Sequence, residues 1–356
     1  MTSPTPATAE KVYAEQLCCR GYGLPLWVPE PSKFGTAEIG DVGYIMNGQF
    51  VRLFNVTKPA DHPLNCHGVP SDFSPLELNP ALLHTIDDCL QAGPLCSRSV
   101  RHTAIDVGAS VDAAPTTARV SYRFECSEDR GALLVVSGGA TRDDVHPNRL
   151  FPRYIMKNFK SWIAFAEDRH GLEISPEQIM LVRGRVKAAE WAVAAFVEGG
   201  LSHKIGFQAS AGSYASASFE LSRTSYGSGS PEWRSGPKRS TVAADAKDQC
   251  VFLSTYRLKQ RRRRLFSFKV EAAAEPTDPD APPPTASADP LEAAIHHMND
   301  SNESLCDVIE APPILTQMYD PLDEILDYIL ENSSADVAIA SHFSLAVFSG
   351  NVRTFH

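Results

Sequence analysis

A chain of 356 residues is long enough for two or three domains, and 43% hydrophobic residues can build a sizeable core. The formal net charge of -10 opposes nucleic-acid binding by the whole molecule and leaves only a local basic patch as a candidate. No run approaches the roughly 20 apolar residues that a membrane-spanning helix needs.

The opening, MTSPTPATAEKVYAEQL, has no basic region followed by an apolar run, so no secretory leader is expected. Cysteines stand at 18, 19, 66, 89, 96, 126, 250 and 306, with no C-x-x-C pair and no finger-like spacing. That pattern argues against a zinc site and for reduced thiols in a cytoplasmic protein.

Residues 1–10 are Thr/Pro/Ala-rich and are expected to fray, with one helical turn over 12–17. Two alternating runs, 41–46 and 49–55, flank Asn47-Gly48, the strongest short hairpin signal in the chain. The Pro-rich stretch 59–80 reads as loop. Strands are expected over 99–109, 118–126 and 131–137, followed by a loop, GGATRDDVHP. The period then changes. Tyr154, Ile155, Phe159, Trp162, Ile163 and Ala166 recur at three and four, which predicts an amphipathic helix over 151–170 that stops at Gly171. Strands return at 179–186, 191–197, 250–259 and 265–270, with a polar Ser/Gly/Pro loop over 226–246.

Between them lies HKIGFQASAGSYASASFELS, residues 203–222. Ile205, Phe207, Ala209 and Ala211 alternate with polar residues, and beyond Gly212-Ser213 so do Ala215, Ala217, Phe219 and Leu221. This predicts an antiparallel hairpin with one apolar face. The Ala-rich face suits close packing under a helix, the one at 151–170 being the candidate. Each arm also has the roughly 9 to 11 residues of a membrane β-strand, so Ile205, Phe207, Ala209, Ala215, Ala217, Phe219 and Leu221 form a membrane-hairpin candidate.

Residues 271–288, EAAAEPTDPDAPPPTASA, cannot make a core and read as a linker. Beyond it, 289–356 reads as a small helical tail with an internal echo. Asp289-Pro290-Leu291-Glu292 and Asp320-Pro321-Leu322-Asp323 both offer a capping Asp, a Pro in the first turn and an acid favoured by the helix dipole. Leu291, Ile295 and Met298 match Leu322, Leu326 and Ile329, and residues 335–340 read as a short strand.

The most eccentric local feature is a basic run, Arg257, Lys259, Arg261, Arg262, Arg263 and Arg264. It reads as an anionic-surface patch, as a nuclear import signal, or as the solvated end of a hairpin joining 250–259 to 265–270. No aromatic residues are interleaved, which argues against single-stranded nucleic acid. Other clusters point to no chemistry. Asp61, His62, Cys66 and His67 share a loop without an identifiable partner base. The 138–144 loop lacks the lysine and spacing of a phosphate loop, and Gly21-Tyr22-Gly23 reads as a turn. No catalytic, cofactor or metal residues are assigned.

Several segments together carry a family resemblance. They are RGYGLPLWVPEPS and AEIGDVGYIMNGQFVRLFNVT within 20–57, KSWIAFAEDRHG (160–171), IMLVRGRVKAAEWAVAAF (179–196), QCVFLSTYRLK (249–259) and DPLDEILDYILENSSADVAIAS (320–341). In order and wording the chain resembles a large protein family of mushroom-forming (basidiomycete) fungi, a resemblance that implies no activity. Its ending, HFSLAVFSGNVRTFH, departs from the acidic continuation of that family. The order of strand, small-residue hairpin, polar loop and strand with a basic end also resembles the second half of gasdermin-type pore-forming domains.

The expected fold is α+β: an antiparallel β-rich body over 11–270 with one long packed helix and two subdomains meeting near 147, then linker and tail. The expected function is a non-enzymatic interaction protein with a tethered tail and a protein or ligand partner. The alternative is a regulated, gasdermin-like membrane-active protein that meets anionic lipid. The expected location is the cytoplasm, or the nucleus if the basic run is an import signal.

Overall fold

The computed structural model describes residues 8–107, 118–197, 203–211, 220–222, 231–237, 246–261 and 319–345. All of these belong to one compact unit made of residues 1–261 and 314–356; a second unit, 262–313, lies outside the described residues. In chain order the elements begin with α1 (Ala9–Leu17), β1 (Leu24–Pro25), β2 (Asp41–Met46), β3 (Gln49–Asn55), β4 (Leu83–Leu90) and β5 (Gly93–Cys96). They continue with β6 (Val100–Val107), β7 (Ala118–Cys126), β8 (Gly131–Val136), β9 (Ala140–Val145), α2 (Leu150–His170), β10 (Met180–Ala188) and β11 (Trp191–Phe196). The last are β12 (His203–Ala211), β13 (Glu220–Ser222), β14 (Glu232–Gly236), β15 (Gln249–Gln260), α3 (Leu322–Glu331) and β16 (Val337–Ser341).

The fold is α+β, and every named strand pairing is antiparallel. The largest sheet is built on the long pair β10–β15. One edge of β10 is shared by β2, which carries β3, and by β9, which carries β4. The outer edge of β15 is shared end to end by β1 and β16. The β2–β3 hairpin turns on Asn47 at φ 51 and Gly48 at φ 74, the positive angles its two-residue turn demands.

Helix α2 packs on this sheet. Asn148 Oδ1 accepts from the amides of Leu150 and Phe151, and Gly171 at φ 64 closes the other end. Its buried stripe, Phe151, Ile155, Phe159, Trp162 and Ala166, meets Val42, Tyr44, Phe54, Leu181, Tyr256 and Leu258. The same core holds Val145 and Phe151, so the chain passes residue 147 without dividing into subdomains there.

A second sheet, β14-β11-β8-β5, is a middle layer. Leu134, Val136, Trp191 and Val193 face α1, whose Val12, Tyr13 and Leu17 are buried. The alternate residues, Leu133, Val135, Ala192, Ala194 and Phe196, face Val100, Phe124 and Cys126 of a third sheet, β13-β12-β7-β6. Burial on both faces explains why GALLVV and WAVAAF are apolar without alternation.

The predicted hairpin partner differs. β12 pairs with β13 through Gly206↔Ser222, Phe207↔Leu221 and Gln208↔Glu220, and along its length with β7. The β6–β7 part of that sheet packs on the middle sheet, while α2 covers the large one, because the bulky α2 stripe needs the aromatic floor around Phe54 and Tyr256. Residues 212–219, with Ala215, Ala217 and Phe219, and the side chains of Ile205, Phe207, Ala209 and Leu221 lie outside the described residues, as does the linker 271–288.

Two further corrections concern loops. GGATRDDVHP contains strand β9, and residues 226–246 contain β14. In β9 the polar positions are spent across the ladder: Asp144 pairs with Arg183 at 2.9 Å and Asp143 with Arg185 at 3.3 Å. A Cβ on Gly184 would stand 2.4 Å from Asp144 Oδ1, so the close crossing needs glycine there. No helix among the described residues is long and apolar enough to cross a membrane.

Candidate functional site: the docked C-terminal segment

The basic strand end and the acidic tail meet. Arg257, Lys259 and Arg261 are spaced by two, so along β15 and its continuation they project to one face. Asp320, Asp323 and Asp327 are spaced by three and four, so they line one face of the α3 turn and helix. β16 pairs with β15 from Val337↔Gln260 to Ser341↔Tyr256, which lays the helix over those side chains.

Local chemistry builds the segment. Asp320 Oδ1 accepts from the Leu322 amide at 2.9 Å and so starts the helix. Leu322, Ile325, Leu326 and Leu330 then bury against Ala338 and Ala340 of β16, so helix and strand form one small cluster. Small alanines on the strand let the helix approach closely.

Arg257 has 4% of its side chain exposed. Its Nη1 lies 3.1 Å from Asp320 Oδ2 and 3.2 Å from Asp323 Oδ1, while Nε and Nη2 donate to the Glu177 carbonyl. Burial pushes the Asp323 carboxyl up, and Arg257 opposes that rise. Lys259 Nζ sits 2.6 Å from Asp327 Oδ1. Arg261 caps the far end of the helix by donating to the carbonyls of Leu330 (2.5 Å), Ser333 (2.7 Å) and Ala335 (3.1 Å).

His342 closes the cluster. Its Nδ1 accepts from the Thr255 amide at 3.0 Å, and Nε2 lies 3.5 Å from Asp320 Oδ1. Burial pushes its pKa down, with Asp320 opposing. Thr255 Oγ1, His342 and Asp320 thus form a hydroxyl–imidazole–carboxylate row, the geometry of an activated nucleophile. Here the row is structural: Thr255 is fully buried, and the imidazole acceptor is already occupied by a backbone amide.

These contacts correct two expectations. Arg257, Lys259 and Arg261 are neither a free anionic-surface patch nor a solvated hairpin end, because carboxylates and helix-end carbonyls take them up. Arg262, Arg263 and Arg264 lie outside the described residues. Nor do residues 319–345 form a separate tail: they belong to the same compact unit as the body and add a strand to its sheet.

The other candidates do not converge. His62 Nδ1 accepts from the Leu64 amide, His67 packs edge-on against Phe34, and Cys66 and Asp61 are exposed. A cleft of about 470 Å³ is lined by Glu38, Leu76, Leu83, His84, Asp143 and Arg185 among others, but Arg185 already bridges Glu38 and Asp143. No group of three or more metal-ligating side chains gathers among the described residues. No protein-family model and no curated protein matches the chain, so the functional reading rests on this geometry.

Proposed function

We propose that this chain is a non-enzymatic interaction protein whose recognition surface is the outer edge of β15, occupied at rest by its own C-terminal helix and strand. The partner that replaces them is a protein bearing an acidic amphipathic helix followed by an extended segment. Main-chain pairing supplies affinity in such strand addition, and side-chain pockets supply selectivity. The observation that carries the reading is the match between Arg257, Lys259 and Arg261 and the acids and carbonyls of a segment reached only after residues 262–318. The seven described cysteines are all free, which supports a reducing, cytoplasmic compartment.

The gasdermin-like alternative is supported less well. Its candidate hairpin, 203–222, has side chains outside the described residues, and the β6–β7 strands of the same sheet are packed on the middle sheet, with Phe124, Leu133 and Phe196 fully or almost fully buried between them.

The test uses a labelled peptide of residues 319–345 and the full chain carrying Leu326→Asp, which breaks the buried helix–strand cluster. The peptide is expected to bind this variant at least 10-fold more tightly than the wild-type chain, whose own segment competes at an effective concentration of roughly millimolar. Equal binding to both, or binding to neither, sinks the proposal.

A further inference from the structure

Cys18 and Cys19 follow helix α1 and open a 3-10 turn, Cys18–Arg20, which Gly21 closes at φ 86. The turn holds the two Sγ atoms 3.7 Å apart. Cys18 is buried and its Sγ donates to the Glu15 carbonyl at 3.3 Å, while Cys19 is exposed. A disulfide does not suit this pair. It needs sulfurs about 2.05 Å apart and Cα atoms usually at least ~4.4 Å apart, whereas neighbours across a trans peptide hold their Cα atoms at about 3.8 Å. A larger bridging atom does suit it. A soft centre about 2.3 Å from each sulfur, the length of a zinc–thiolate bond, holds the sulfurs roughly 3.3–3.8 Å apart at a bond angle of about 90–110°.

We infer that Cys18 and Cys19 form a dithiol site for a trivalent arsenical, a soft centre that takes two protein sulfurs and brings its own third substituent. Zinc fits less well. It prefers four ligands, and no group of three or more metal-ligating side chains gathers among the described residues. The binding step balances without an oxidant. An arsenoxide, R–As=O, gives up its oxygen as water, and the two protons of that water come from the two thiols. Two As–S bonds replace the bond to oxygen, and arsenic stays trivalent. Exposed Cys19 makes the first bond and leaves the substituent R in solvent. Cys18 makes the second within the molecule, at the high effective concentration that a neighbouring group provides. Burial, and then the Cys19 thiol beside it, push the Cys18 pKa up, so Cys18 is present as the thiol that the water-forming step consumes.

The experiment treats the full, reduced chain with equimolar phenylarsine oxide and maps the adduct by mass spectrometry of its proteolytic peptides. The peptide holding Cys18 and Cys19 should carry a single phenylarsenic group. That group should survive a large excess of 2-mercaptoethanol and leave in a small excess of 2,3-dimercaptopropanol, because only another dithiol competes with a ring closed by two sulfurs. Cys19→Ser changes an exposed position and should leave the circular dichroism unchanged while lowering the monothiol-resistant label at this site at least about 10-fold. Cys18→Ala should lower it equally; if the buried change prevents folding, Cys19→Ser decides. Cys66→Ser removes another exposed thiol and should leave the label at this site as it was. No adduct at Cys18 and Cys19, an adduct that 2-mercaptoethanol strips from the wild-type chain, or one that keeps its resistance in Cys19→Ser overturns the inference.

Discussion

The middle sheet and the docked C-terminal segment are held by different physics. β8 and β11 are buried on both faces by apolar residues alone, from Leu133 to Val136 and from Ala192 to Phe196. The segment of α3 and β16 contributes a small aliphatic cluster, yet meets β15 through a buried arginine shared by two aspartates, a lysine–aspartate pair and an arginine cap. Apolar burial is non-directional and has no titrating group, so it does not follow pH. A buried ion cluster adds little net stability over apolar residues, but it is costly to break one partner at a time. The body should therefore unfold as a unit, and the segment should leave by itself when its charges are disturbed.

Trp162 is 2% exposed and packs edge-on against Phe54, so Trp162→Ala should cost about 3–5 kcal/mol in a urea titration of the whole chain. A loss below about 1 kcal/mol would mean that α2 is not part of the body's core.

Arg257→Met acts on the docked segment. It leaves Asp320 and Asp323 without their buried cation, a loss of about 3–5 kcal/mol that the molecule can limit by undocking the segment. Hydrogen exchange should speed at 337–341 while protection over 131–136 and 191–196 is kept. Uniform loss of protection would show that body and segment are one cooperative unit.

The mildest perturbation is pH. Burial lowers the pKa of His342 in the docked state, with Arg257 and Arg183 acting in the same sense and Asp320 opposing, so protonation favours undocking. Its contribution is complete above the ordinary histidine value of about 6.5 and declines as pH falls below it. Asp323, whose pKa is raised, works in the opposite sense in the more acidic carboxylate range. Docking followed by exchange at 337–341 should weaken between pH 7.5 and 6, and His342→Gln should flatten that slope. An unchanged slope would remove His342 from the docking equilibrium.

Much of the body was legible. The Asn47-Gly48 hairpin declares itself through two residues that accept positive φ, and α2 through a three-and-four stripe that ends in glycine. The strands β4 and β9 were not. β4 is exposed along Leu83 to Asp88, so no face selects apolar residues, and β9 places Asp143 and Asp144 opposite arginines of β10 rather than in water. Of helix α1 only a single turn over 12–17 is legible, because the Thr/Pro/Ala start hides that the helix begins at Ala9 and that Val12, Tyr13 and Leu17 are buried.

For the candidate site the signals were visible separately: a basic run spaced by two in a strand, and acids spaced by three and four in a helix. Periodicity by itself determined those local faces, because side-chain direction follows from backbone geometry within each element. That the two faces oppose one another follows from the pairing of β16 with β15. The outer edge of β15 beyond β1 is a row of backbone donors and acceptors, and the segment that satisfies them, Val337–Ser341, brings its acids onto Arg257 and Lys259 as a consequence of that pairing.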